Sequence, residues 1–121
     1  MYDDANIFSK ILKKEIPCRV IYEDVFGLAF HDINPKAPIH ALVIPKGKFK
    51  NFDDFVKLAT PDMIVGFHKT IENTIETLGV RSEGYRLLVN SGLNGGQEVP
   101  HFHVHILAGG PVGPMTCAHH H

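Results

Sequence analysis

The sequence predicts an α+β domain, an antiparallel sheet of five short strands with two helices laid against it. Three observations carry that expectation. Five β-type runs, centred on Arg19-Val20-Ile21-Tyr22-Glu23, Gly27-Leu28-Ala29-Phe30-His31, His40-Ala41-Leu42-Val43-Ile44, Tyr85-Arg86-Leu87-Leu88-Val89-Asn90 and His101 to Leu107, can all be reached by short antiparallel connections. Between the third and fourth runs, Ile64, Phe67, Ile71, Ile75 and Leu78 recur at helical spacing. Near the C-terminus, His101, His103 and His105 alternate with Phe102, Val104 and Ile106. That period of two is the mark of a strand with two unlike faces.

Taken in order, Asn6 is an N-cap for a short helix over 7–14, with Ile7, Phe8, Ile11 and Leu12 on one stripe. Pro17 ends it. The first two strand runs, joined near Asp24, read as a hairpin. Pro35 and Pro38 make 32–38 a loop, and Pro45 with Gly47 closes the third strand. The stretch from Asn51 to Leu58 can hold a further short helix, capped by Asn51 or Asp53. Thr60-Pro61-Asp62 is a strong helix start: a hydroxyl cap, proline at the first helical position and an acid in the first turn. Gly79 supplies the stop. His68 and Glu72 fall beside the apolar stripe and read as rim residues. A glycine-rich turn over 91–96 leads into the histidine run. No repeat or linker interrupts the chain.

Length and composition set the class. With 121 residues the chain is expected to be one domain, here 1–118, with His119–His121 excluded as a purification-tag remnant. An apolar fraction of 44% with 21% charged residues suits a globular core rather than disorder. Twelve basic and thirteen acidic residues leave a formal charge of -1, which gives no footprint for nucleic-acid binding. Lys46, Lys48 and Lys50 read as a solvated loop edge. Cys18 and Cys117 form no CxxC pair, so neither a disulfide framework nor a cysteine zinc site is expected, and a reducing compartment fits them. The N-terminus lacks the features of a secretory signal, and no apolar run approaches the ~18 residues of a membrane span. A cytoplasmic protein without membrane partners is the expectation.

The histidine run carries the chemistry. Same-face neighbours on a strand lie roughly 6 to 7 Å apart, close enough for three rings to act on one ligand. Burying several imidazoles costs desolvation unless each has a partner, so strict alternation of three is a poor accident. Two uses compete. The rings could bind a metal, with Asp32 or His40 completing the ligand set. Alternatively they could work on a phosphoryl group, one as nucleophile and the others as orienting and charge-stabilising groups. Gly92, Gly95 and Gly96 would let backbone N–H groups converge into an anion-binding concavity, which favours phosphate.

The run from His101 to Leu107 resembles the His-φ-His-φ-His-φ-φ motif of the histidine triad superfamily, where φ is apolar. The flanks extend the likeness to its nucleotide-binding (Hint) branch: Asn6-Ile7-Phe8, Lys13-Lys14-Glu15-Ile16-Pro17, Ala29 to Pro35, Ala37-Pro38-Ile39-His40, Leu42 to Lys46, Asn90 and Gly95 to Leu107. The resemblance covers about 6–114. It implies a five-stranded sheet with two helices, two protomers joining their sheets into one of ten strands, and the long helix lying partly at that interface. It implies no metal and no cofactor.

By the same resemblance His103 is the nucleophile, attacking the α-phosphorus of a purine nucleotide ester or amide to give a nucleotidyl-histidine that water cleaves. His105 would bond the phosphate or leaving group, the His101 carbonyl would hold the nucleophile's ring N–H, and His40 would support the triad. Asp32 matches the ribose ligand, although an Asx-turn ahead of Pro35 is its ordinary structural use. Ile7, Phe8, Ile11, Ile16, Phe30, His31 and Ile33 match the purine cleft, and Asn90, Gln97 and the Val99 amide match positions around the 5′-phosphate. Glu98 and the Gly109–Met115 segment resemble bacterial members; animal members carry serine at the position of Glu98. A carboxylate beside a phosphate is repulsive, so Glu98 is expected to turn outward or act toward the leaving group.

The implied function is a homodimeric purine nucleoside phosphoramidase acting on adenosine or guanosine 5′-monophosphoramidates. Hydrolysis of dinucleoside polyphosphates, and a nucleotide-binding regulatory or interaction module with incidental catalysis, are the alternatives.

Overall fold

The structure is a computed structural model and describes residues 1–116; Cys117 and His119–His121, and with them the expected tag remnant, lie outside the described residues. In chain order the elements are α1 (Ile7–Leu12), β1 (Val20–Glu23), β2 (Gly27–His31), β3 (Ile39–Pro45), α2 (Phe52–Leu58), α3 (Pro61–Leu78), β4 (Arg86–Leu88) and β5 (Val104–Ala108). The five strands form one sheet in the order β1-β2-β3-β5-β4, antiparallel at every junction. The α+β sheet is therefore as expected. The helix count is not: three helices form rather than two. Asn51 caps α2 by accepting from the Asp54 N–H, Asp53 and Asp54 oppose the positive end of the helix, and Phe55 anchors it in the core.

The termini follow local chemistry. Asn6 caps α1 through the Ser9 N–H, but the helix stops at Leu12, two residues early, because Lys14 enters the left-handed region at φ 65. Thr60 caps α3 through the Met63 N–H, and Gly79 ends it at φ 69. The β1–β2 turn is buckled by Asp24, whose Oδ1 accepts from the Phe26 and Gly27 N–H groups. Its carboxylate also receives the buried Thr70 hydroxyl at 2.8 Å, which ties the hairpin to α3.

Alternation sorts the strands between two cores. One face sends Ala29, Ala41, Val43, Val104, Ile106 and Ala108 toward α3, where Phe67, Ile71 and Ile75 meet them. Phe55, Phe67 and Phe102 pack there with centroids 5.0 to 5.7 Å apart. At roughly 1.5 to 3 kcal/mol for each large apolar side chain buried, this layer is the main source of stability. His68 and Glu72 are exposed on the outer side of α3, as rim residues should be. The other face gathers Leu28, Phe30, Leu42 and Ile44 beneath Phe8 and Ile11 of α1. Among the described residues, no helix is long and apolar enough to cross a membrane.

The strand carrying the histidines departs most from expectation. Regular pairing begins only at Val104, which faces Val43 of β3. Upstream, Pro100 has no N–H to give, the His101 N–H bonds the Val99 carbonyl, and the Phe102 N–H bonds Phe49 O in the loop before α2. His101 and His103 thus lie on an extended approach to the strand, and only His105 belongs to the ladder. β4 is likewise cut from the expected six residues to three.

Candidate active site

On the α1 side of the sheet lies an open cavity of about 270 Å³. Its apolar wall comes from Ile7, Phe8 and Ile11 of α1, Ile16 after it, Phe30 of β2 and Ile33 in the following loop. His31 and Asp32 stand at the end of β2, Asn90 and Val99 close the far side, and His103 and His105 form the floor. Among the sequence-derived candidates, His40, His101 and Gln97 do not line it.

Gln97 braces the glycine loop instead. Its Nε2 donates to Lys50 O and Val99 O, and its Oε1 accepts from the Gly92 N–H. The Gly92 and Gly96 N–H groups are both used inside the loop, so the expected anion-binding concavity of converging glycine amides is not formed by these two. Asn90 lines the cavity and holds the same loop by donating to Gly95 O at 2.6 Å. Asp32 makes the Asx-turn, accepting from the Asn34 N–H at 2.8 Å, and still presents itself to the cavity. Glu98 is exposed at the rim.

Sequence reasoning missed Pro17, Cys18 and Leu42 as lining residues, while Gly96 of the expected glycine loop does line the cavity. Leu42 could have been found: two residues after His40 on a strand, it shares that residue's face, and it pairs with His105.

The three triad rings do not meet on one ligand. His103 and His105 are neighbours with centroids 5.1 Å apart. His101 is fully buried, covered by Tyr2 and Phe8. Its ring lies between the Tyr2 hydroxyl, 2.6 Å from Nδ1, and the Pro45 carbonyl, 3.0 Å from Nε2. A carbonyl can only accept, so His101 carries its proton on Nε2. Its own carbonyl receives the His103 Nδ1–H at 2.7 Å. The His103 Nε2 is left with its lone pair, on a ring that faces the cavity and is held edge-on by Phe8 at 5.0 Å.

A second chain sets His105. The Lys36 N–H donates to His40 Nδ1 at 3.0 Å, which places the His40 proton on Nε2. That N–H lies 2.8 Å from His105 Nδ1 and 3.4 Å from an Asp32 oxygen. With Nδ1 accepting, His105 holds its proton on Nε2 as a donor. The two cavity rings therefore have opposite tautomers: His103 offers a lone pair and His105 offers a proton.

Burial keeps these rings neutral. It pushes His101 and His105 down to about 4, His105 being lowered further by its neighbours His103 and His40. His103 is lowered by burial more than the His101 carbonyl, Asp32 and Glu98 raise it. His40 is also lowered, burial outweighing the Asp32 carboxylate, so their contact is not an ion pair at neutral pH. Asp32, His40 and His105 do bring potential metal-ligand atoms within 4.8 Å of one another. The donor set fits a metal poorly, because His40 Nε2 bears the proton and could bind only by giving up the Lys36 N–H bond to Nδ1.

Comparison with known proteins decides the family. The HIT domain matches residues 13–112. The chain belongs to the HIT family. A HIT-like protein of Azospirillum brasilense is 47% identical over 114 residues, 94% of this HIT chain and 93% of the relative. An Escherichia coli protein named purine nucleoside phosphoramidase is 42% identical over 113 residues, 93% of each chain. Among solved structures, a histidine triad protein from Clostridium difficile superposes with a TM-score of 0.85 at 39% identity, covering 96% of this HIT chain and 100% of its own.

Proposed function

We propose that this protein is a hydrolase that cleaves purine nucleoside 5′-monophosphoramidates, releasing the nucleoside monophosphate and an amine. The carrying observation is the His103 ring, held by its Nδ1–H on the His101 carbonyl so that a neutral Nε2 lone pair is directed at an apolar cavity. The E. coli relative's name supports the same substrate class.

In this reading the purine lies against Phe8, Ile11, Phe30 and Ile33 and the ribose hydroxyls donate to Asp32. The His103 Nε2 attacks phosphorus, an N–P bond forms and the P–N bond to the amine breaks. The Nε2–H of His105 donates a hydrogen bond to the departing nitrogen, which takes its proton from water, so the amine leaves neutral and His105 stays a neutral imidazole. The hydroxide left by that proton transfer attacks the nucleotidyl-histidine, its N–P bond breaks, and His103 is freed with the monophosphate. Positioning and charge stabilisation dominate such a transfer, which suits a site of fixed tautomers.

A homodimer goes with this reading. β4 is an edge strand of only three residues, and Tyr85, Leu87 and Val89 beside it are 39 to 47% exposed, an apolar row suited to a second copy.

The test is release of AMP from an adenosine phosphoramidate in the presence of chelator. His103→Ala is expected to abolish turnover, and mass spectrometry of quenched wild-type protein should detect the adenylyl adduct on His103. Turnover retained by His103→Ala would sink the mechanism.

A further inference from the structure

We propose that Tyr2 is a positioning residue for His103, acting through His101; this rests on the nucleotidyl-transfer reading above. Tyr2 lies 99 residues from His101 in sequence and outside the matched HIT segment, yet its hydroxyl makes a 2.6 Å hydrogen bond to the buried Nδ1. The direction of that bond is fixed. His101 Nε2–H is committed to the Pro45 carbonyl, so a neutral ring has its lone pair at Nδ1 and the tyrosine must donate. Tyr2 also meets the ring edge-on, with centroids 5.7 Å apart at 71°.

Both ring nitrogens of His101 are therefore held, one by the N-terminal segment and the other by the end of β3. The ring so held is carried by the residue whose backbone carbonyl accepts from His103 Nδ1–H. A free rotation of the His101 side chain would loosen the backbone at the point where the nucleophile is tied. Without Tyr2, the buried Nδ1 lone pair has no other donor among the described residues, and an unpaired buried acceptor drives rearrangement.

The segment bearing Tyr2 is built to present it. Asp3 O accepts from both the backbone N–H and the side-chain Nδ2 of Asn6, at 3.2 and 2.7 Å, and Asp3 Oδ1 accepts from the Ala5 N–H. Asn6 then caps α1, which carries Phe8 onto the face of the site. The Asp4–Lys48 ion pair at 3.2 Å is exposed and adds little. One short turn thus places Tyr2 over His101 and Phe8 over His103.

Tyr2→Phe keeps the ring and removes only the donor. On an adenosine phosphoramidate, kcat is expected to fall about tenfold with KM within about twofold, the size of one hydrogen bond expressed in the transition state. In two-bond ¹⁵N–¹H spectra of full-length protein, the His101 Nδ1 signal should move as its donor is lost, and the His103 ring signals should move with it. Packing alone would lower the melting temperature of the variant while leaving kcat and the His103 signals where they were. An unchanged kcat, or unmoved His103 signals, would overturn the proposal. Should the wild-type protein prove inactive on phosphoramidates, the functional reading fails separately, and the spectra alone decide: movement of the His103 signals supports the link from Tyr2, and their constancy refutes it.

Discussion

Acid should weaken this fold in a window that the buried histidines define. His101 has no exposed surface, and burial lowers it from 6.5 to about 4. In the unfolded chain the ring regains its ordinary value, so between those two pH values the unfolded state binds a proton that the native state refuses. Stability from this group is complete above 6.5 and falls as pH drops toward 4. At 1.36 kcal/mol per pH unit, the loss from His101 is about 1 kcal/mol near pH ~5.5 and about 3 kcal/mol once pH is below 4. His105 acts in the same direction over the same window. Set against a typical total of ~5 to 15 kcal/mol, this is enough to see by urea denaturation at a series of pH values. The carboxylates do not mimic it. Glu23, held below its ordinary 4.5 by Lys46 and Lys14, keeps its contribution down to 4.5 and loses it only below that, so it does not contribute to the fall between 6.5 and 4.5. A His101→Asn variant should be less stable at neutral pH but lose less on acidification. Stability flat from pH ~6.5 to ~4.5, or a His101 ring that titrates at its ordinary value by NMR, would refute the burial argument.

Two further outcomes follow from the same geometry. In the proposed mechanism protonation of His103 would remove the attacking lone pair, and burial lowers its pKa, so the acid limb of kcat/KM should lie below 6.5; a limb above that value would refute the burial of the ring. Thr70→Val keeps the shape but removes the hydroxyl that meets Asp24 at 2.8 Å, and should destabilise by roughly 1.5 to 3 kcal/mol in urea melts because the bond is to a charged group.

Much of the sheet was legible because its strands are half-buried and their alternation survives in the residue types. Leu28 and Phe30 face one core, Ala29 the other, as a period of two requires. Caps were equally legible at Asn6, Thr60 and Gly79, where a single residue type has a single local task. The Asn51 cap marked the short helix over 51–58 as well, but with seven residues, one buried phenylalanine and no periodic stripe α2 fell outside the expected count of two helices, because a cap does not report packing. The same limit applies to the site. Alternation at His101, His103 and His105 was read as one strand face, but alternation carries no record of which backbone groups are paired. Bonds to Phe49 O and Val99 O, from loops distant or adjacent in sequence, end the ladder before His103. Gln97 was placed near the phosphate from its motif position, and its actual partners Lys50 O and Val99 O are backbone carbonyls that no residue pattern announces.

The tautomers of the site come from backbone groups, two of them outside the motif. A histidine in water exchanges its proton between two nitrogens, and neither form is imposed by the ring's own sequence. Here the Pro45 carbonyl fixes His101, the His101 carbonyl fixes His103, and the Lys36 amide fixes His40 and through it His105. Three of these anchors are main-chain atoms that cannot change their donor or acceptor character. Burial then supplies what the anchors cannot: it holds every ring neutral, without which a doubly protonated His103 would have no lone pair to offer. Each device needs the other. Neutral rings without anchors would sample both tautomers, and anchored rings left in water would protonate near pH 6.5. Two chains ending in a lone pair on one ring and a hydrogen-bond donor on the next are the arrangement the proposed displacement would use for attack and departure.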